Sequence, residues 1–263
     1  MNIQNLNCLI DLHLHLDGSL PLHTVKELAE QQGITLQMTD GELKKKLSVP
    51  AGCRDLNEYL TKFEFPLTLM QTPEALEKCM HDLLTELEGQ GVQYCEVRFA
   101  PQLHTQKGMS QNEVIEAVKA GLYSVAGVKP ESIHAGIILC CMRGSDNGQQ
   151  NKITVEEAAR HLGSGVCAVD LAGAEALYPT EQYADLFAYA KQLRIPVTIH
   201  AGEAAGTESI RAAVAMGAAR IGHGIRAAYD AETMELLKEN HITLELCPTS
   251  NSVSYTHLTL PTN

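Results

Sequence analysis

Short, nearly continuous apolar runs recur along the chain at Cys8–His15, Gln93–Ala100, Ile133–Met142, Val166–Ala172, Pro196–His200, Arg220–His223 and Ile242–Cys247. Runs of this kind are what strands buried on both faces look like. Amphipathic segments at helical spacing lie between most of them. Ser110 with Glu113 forms a capping box ahead of one helix, and Thr154 with Glu157 predicts the start of another. Thr72-Pro73-Glu74 marks a further start, with proline at the first helical position. Asp230 is placed to cap a helix ending near Asn240, and Gly217 to close one begun near Thr207.

Strands alternating with helices predict an α/β fold whose parallel sheet is covered on both faces. Seven strands suit either an open doubly wound sheet or a TIM-like β/α barrel, and a closed barrel needs an eighth. Residues about 34–71 interrupt the rhythm with no convincing strand. This insertion after the first strand carries Lys44-Lys45-Lys46, then Leu56, Tyr59, Leu60 and Phe63 at helical spacing. It reads either as a surface helix packed on the barrel or as a helical lid over the C-terminal mouth of the sheet.

Composition narrows the partners. The 263 residues are 44% apolar and 20% charged, which suits a single folded domain. Twenty basic against 32 acidic residues give a net charge of −12, which repels phosphate backbones. Nucleic acid is therefore not an expected partner, whereas an uncharged nucleoside remains one. No apolar stretch is long enough to span a bilayer, and the first residues lack the basic region of a secretory signal, so a cytoplasmic protein without membrane attachment is expected. The eight cysteines form no C-x-x-C pair and sit mostly in apolar runs, which predicts buried thiols.

Candidate chemistry gathers where strands end. His13 and His15 are two apart on the first strand and so share a face, where two imidazoles could ligate one metal ion. Chance supplies about 0.5 such H-x-H pairs in a chain of this composition, so two packed core histidines explain the pair as well. His200 ends a β-branched strand, and Glu203 follows three positions later, within reach of a substrate beside a metal. A strand-terminal histidine can also be purely structural. His223 is bracketed by Gly222 and Gly224, which suggests a bulky group such as a ligand close to the backbone, or else a tight turn. Together, three strand C-terminal ends carry histidine, and in parallel sheets those ends form the active face. Zinc suits a nitrogen-rich donor set, and a zinc-activated water next to an acid suits hydrolysis or hydrolytic deamination.

The chain resembles the adenosine deaminase family of the metal-dependent amidohydrolases. The resemblance rests on His13-Leu14-His15-Leu16-Asp17-Gly18-Ser19, Glu96-Val97-Arg98-Phe99-Ala100-Pro101, Asp170-Leu171-Ala172-Gly173, His200-Ala201-Gly202-Glu203, Gly222-His223-Gly224 and Glu245-Leu246-Cys247-Pro248-Thr249-Ser250-Asn251, in family order. It implies one zinc ion bound by His13, His15 and His200. It implies that Glu203 protonates purine N1 and that His223 orients and helps deprotonate the attacking water. Addition at C6 and loss of ammonia would turn adenosine, and 2′-deoxyadenosine, into inosine or its deoxy form in purine salvage. Gly173 would donate its N–H to purine N3, and Asp17 would bond the ribose 5′-hydroxyl. Relatives acting on free adenine tend to carry Glu at that position, so Asp17 favours the nucleoside over adenine or a nucleotide. Leu56, Tyr59, Leu60 and Phe63 match the family's apolar lid. Donation to N1 requires a protonated Glu203, hence a raised pKa in a pocket dried by that lid.

One departure follows Asn251. The family pattern continues to an eighth strand ending in two aspartates, one for the zinc and one for the water, but Ser252–Asn263 contains no acidic residue. Residues 1–251 are therefore expected to form one incomplete barrel domain without its eighth β/α unit, and 252–263 to be a foreign tail. His257 is not expected to replace the missing ligand. On this reading the 263-residue chain is weakly active or inert, or is a non-catalytic fragment that keeps part of the nucleoside pocket.

Overall fold

The computed structural model describes residues 8–251 apart from 50–52, 54, 55, 130 and 249, with the backbone alone at 57. The tail at 252–263, including His257, lies outside the described residues. The described residues form seven strands: β1 (Leu9–His15), β2 (Val92–Phe99), β3 (His134–Met142), β4 (Val166–Ala172), β5 (Thr198–Ala201), β6 (Arg220–His223) and β7 (Thr243–Glu245). Their neighbours pair in parallel in the orders β1-β2-β3-β4 and β5-β6-β7. A parallel bridge between Val169 and Val197, with Val169 N–H donating to Pro196 O at 3.0 Å, joins the two sets.

Chain order and spatial order therefore coincide, with no reversal point, and this decides against the doubly wound alternative. The sheet also curls. Seven strands spaced about 4.8 Å apart would put the outer two nearly 30 Å from one another in a flat sheet. Instead His13 Nδ1 on β1 lies 2.8 Å from Glu245 Oε2 on β7. The α/β architecture is that of a β/α barrel, in which β1 and β7 each pair on one side only among the described residues.

Helices cover the outside for the reasons the sequence suggests. Pro73–Gly89 begins at a Thr72 side-chain cap and buries Leu76, Met80, Leu83, Leu84 and Leu87 along one stripe. Gln111–Tyr123 starts on the Ser110/Glu113 capping box, Asp230 accepts from Glu232 N–H, and Gly217 follows Thr207–Ala215 at φ 85°. The Thr154/Glu157 signature does not start a helix. Its helix runs Gly148–His161, with Thr154 buried in the middle and its hydroxyl within reach of Gln111 Oε1 (2.7 Å) and Gln150 O (3.0 Å). A threonine that bonds back to the carbonyl four residues earlier needs no capping role. The insertion is helical: Asp40–Leu47, capped by Thr39, then Leu56–Leu60 and Glu64–Leu69. Cys79, Cys95, Cys140 and Cys141 are buried, and no disulfide occurs among the described residues. Among those residues no helix is long and apolar enough to cross a membrane.

Candidate active site

The carboxyl ends of β1, β5 and β6 bring the histidines together. Alternation along β1 points His13 and His15 to one side. His15 Nε2 lies 3.2 Å from His200 Nε2, and the His13 ring centroid is 4.6 Å from that of His200. One nitrogen from each of the three falls within 4.8 Å of the others. Two ligands at about 2.05 Å from a tetrahedral zinc would stand roughly 3.3 Å apart, so the donor spacing fits such an ion. Protonation fits as well. Burial, then Arg98 and the neighbouring imidazoles, hold His13 well below the ordinary imidazole value. Burial, His200 and Arg98 do the same for His15. Neutral imidazoles are the form that binds metal.

Behind these rings stands a layer of charge. His13 Nδ1 donates to Glu245 Oε2, and His200 Nδ1 lies 2.8 Å from Asp170 Oδ2. The His13 bond places that imidazole's proton on Nδ1 and leaves its Nε2 free to ligate, while Asp170 meets His200 as a close charge contact. Arg98, fully buried on β2, joins both carboxylates: one terminal nitrogen is 3.2 Å from Asp170 Oδ2 and the other donates to Glu245 Oε2 at 2.6 Å and Leu12 O at 2.7 Å. Glu245 also accepts from Thr198 Oγ1 and Arg220 Nε, and Arg220 reaches on to Glu96. Burial by itself would raise Asp170, but His200 and Arg98 outweigh it and hold the carboxyl far below its usual range.

Of the two readings of the glycines around His223, the chain does turn tightly there, with His223 and Gly224 both at positive φ, and the bulk beside the backbone is protein and not a ligand. A Cβ on Gly222 would stand 2.7 Å from His13 Cε1, so that glycine admits the His13 ring. A Cβ on Gly224, itself left-handed at φ 62°, would strike Leu244. His223 adopts φ 66°, uncommon for a residue with a side chain, and this turn aims its ring inward. Its Nδ1 donates to Asn251 Oδ1 at 2.8 Å, and its Nε2 faces Glu203 Oε2 at 3.6 Å. Burial opposes the charged form of His223, yet the Glu203 carboxylate and the Cys247 and Asn251 contacts push it up to about 9.

His13, His15, His200, Glu203, His223 and Cys247 border one cavity of about 470 Å³, as do Asp17, Gly173 and the insertion residues Leu56, Tyr59, Leu60 and Phe63. The apolar insertion residues wall its mouth, with the Phe63 ring 6.0 Å from His15. Phe63 rests where a Cβ on Gly18 would be 2.8 Å away. Gly173 has φ 104°, a backbone conformation suited to glycine. Asp17 is buried, its Oδ1 has no hydrogen-bond partner in the protein, and burial pushes it up to about 7 against its own and the Gly18 N–H groups. An orphaned carboxyl oxygen facing a cavity is a place for a donor from outside. Cys247 forms a second close group with His13 and His223. Arg98 and Glu245 entered the sequence analysis only as parts of matched motifs, although charges inside apolar strands already mark them as paired. Glu175 and Arg220 were not singled out there at all.

Comparison with known proteins follows the same lines. A family model described as Adenosine deaminase matches residues 8–259. An adenosine deaminase of Haemophilus ducreyi is 48% identical over 92% of this chain and 71% of its own length. The crystal structure of an adenine deaminase from Arthrobacter aurescens superimposes with a TM-score of 0.82 at 24% identity, covering 94% of this chain and 74% of that one. An amidohydrolase from Burkholderia ambifaria, solved with bound Zn, gives a TM-score of 0.81 at 18% identity over 97% of this chain and 68% of its own.

Proposed function

The chain belongs to the adenosine deaminase family of hydrolytic enzymes, and from that premise we propose that it converts adenosine and 2′-deoxyadenosine to inosine or deoxyinosine plus ammonia, with one zinc ion at His13, His15 and His200. The observation that carries this reading is the 3.2 Å approach of His15 Nε2 to His200 Nε2, beside His13, in a cavity that also holds Glu203 and His223. Zinc, when bound, supplies Lewis acidity that makes water nucleophilic near neutral pH.

The chain's own groups do the rest. Glu203, buried at the cavity wall, hands a proton to purine N1 and leaves C6 electron-poor. With Glu203 protonated, the carboxylate that raises His223 is absent and His223 is a neutral base: its Nδ1 bond to Asn251 holds the ring, and its Nε2 takes the proton of the attacking water, more readily once Glu203 has ionised. Water adds to C6, the proton it gave His223 passes to the amino group, the C6–N bond breaks and ammonia leaves, and the C6 hydroxyl proton returns to Glu203 as the carbonyl forms. The Gly173 N–H takes purine N3. Asp17 takes the ribose 5′-hydroxyl, which its unpartnered Oδ1 favours. Leu56, Tyr59, Leu60 and Phe63 exclude water as a lid. A cytoplasmic place in purine salvage goes with this chemistry.

Among the described residues no carboxylate joins the three imidazoles, so binding and turnover are tested separately. Zinc and inosine titrations measure assembly of the site, and adenosine, adenine and adenosine monophosphate are compared as substrates. The proposal expects turnover that depends on zinc and is fastest on adenosine. Asp17→Ala should raise KM for adenosine about 10-fold or more, the scale of one buried hydrogen bond to a charged group. A chain that binds zinc and nucleoside but turns over none of the three is a nucleoside-binding scaffold. Preference for adenine would make it a base deaminase.

A further inference from the structure

Glu175 lies in the loop after β4, two residues beyond Gly173, and is 1% exposed. Its carboxylate collects four consecutive backbone N–H groups from the loop after β5. Gly202 donates to Oε1 at 2.7 Å, and Glu203, Ala204 and Ala205 donate to Oε2 at 3.0, 2.5 and 2.9 Å. Ser209 Oγ adds a fifth bond to Oε1 at 2.5 Å. The loop 202–205 belongs to no helix or strand, so these donors have no ladder to join. Gly202 makes the turn at φ 68°, in space where a Cβ would strike Ile210. The Ser209 hydroxyl continues to Thr180 Oγ1, which accepts from Arg143, and Arg143 donates in turn to His200 O.

We propose that Glu175 is a positioning residue: it holds the 202–205 backbone so that the Glu203 side chain enters the cavity at a fixed place opposite His223, and it ties that turn to the loop bearing Gly173. The inference rests on the reading of Glu203 as the proton donor to the purine. The acceptor count is what requires a carboxylate. Five donors meet two oxygens that offer about four lone-pair sites. Glutamine keeps the shape but turns one oxygen into an N–H donor facing other donors, which leaves at least two of the five without an acceptor. A freed turn lets Glu203 drift, and a shift of about 1 Å at a reacting group costs about 100-fold in rate.

The first test needs no variant. Hydrogen exchange on the zinc-loaded 263-residue protein should show the amides of Glu203, Ala204 and Ala205 exchanging as slowly as those of β5. Exchange at the rate of open loops overturns the proposal. In E175Q those amides should exchange at least about 10-fold faster, and kcat on adenosine should fall about 100-fold with KM changed less than 3-fold. Formate added to Glu175→Ala should restore protection and part of the rate, because it returns a carboxylate to the same donors, and a merely structural loss would not be repaired. If E175Q keeps native protection and kcat while Glu203→Gln is inactive, Glu175 has no positioning role and the deaminase reading stands. If Glu203→Gln keeps native turnover, the reading of Glu203 fails, and the exchange data still decide whether Glu175 clamps the turn.

Discussion

Replacing Arg98 with Met removes the cation that touches both carboxylates behind the zinc-site histidines. The side chain is fully buried and meets Asp170 at 3.2 Å, Glu245 at 2.6 Å and the Leu12 carbonyl at 2.7 Å. Removing one member of a buried ion pair costs about 3–5 kcal/mol, because the partner stays buried and uncompensated. The cost should not double for two carboxylates. Glu245 keeps Arg220 Nε at 2.8 Å, and Asp170 keeps the Leu171 N–H at 2.8 Å. Met also refills most of the volume, so no large cavity opens. Urea unfolding of the metal-free protein should therefore show a loss of about 3–5 kcal/mol, and melting should drop by roughly 6–20 °C at about 2–4 °C per kcal/mol. Zinc affinity should fall about 10–100-fold, since the groups that orient His13 and His200 have lost their own anchor. The double variant Arg98→Met/Asp170→Asn should be more stable than the sum of its parts by about 1 kcal/mol or more, because it removes the stranded charge. A single variant within about 1 kcal/mol of the parent, with unchanged zinc affinity, would refute this account of the buried network.

Gly222→Ala puts a methyl group 2.7 Å from His13 Cε1; zinc affinity, measured by competition with a chelator, should fall about 10–100-fold with the far-ultraviolet circular dichroism unchanged. Unchanged affinity would mean that the glycine is not there for His13. His104 is fully buried, its Nδ1 2.9 Å from Met70 O, and burial pushes it down to about 4 from 6.5 despite that bond. The unfolded chain takes up this proton near 6.5 and the folded one only near 4, so the contribution is intact above pH 6.5 and is lost as the pH falls, by roughly 3 kcal/mol in all. Compared with His104→Gln by urea unfolding at pH 7 and 4.5, the parent should lose more stability on acidification; parallel losses would contradict the assignment.

The site was readable wherever chemistry coincided with local pattern. Histidines at the ends of β-branched runs announced themselves because a parallel sheet exposes those ends, and alternation alone put His13 and His15 on one face. Strand order was not readable: seven runs allow two architectures, and the sequential pairing, carried across the Val169–Val197 bridge, together with the His13–Glu245 contact distinguishes them. Thr154 misled because a capping signature is four residues long, whereas the helix around it is set by packing that begins at Gly148. Arg98 and Glu245 are 147 positions apart, and no local pattern links them. Glu175 is a lone acid in the loop Gly173-Ala174-Glu175-Ala176-Leu177, and nothing in that stretch names its partners, since they are backbone N–H groups and carry no residue identity. Gly222 showed that something bulky approaches, but not that the bulk is another strand's imidazole.

The convergence of three imidazoles on one ion is tested most directly by X-ray absorption at the zinc edge on the zinc-loaded protein, alongside the His13→Ala, His15→Ala and His200→Ala variants. The account predicts one zinc per chain with three imidazole nitrogens at about 2.0 Å in the parent, and one nitrogen fewer in each variant. Zinc held by fewer than three imidazoles in the parent, or a first coordination sphere that any of the three substitutions leaves intact, would contradict it.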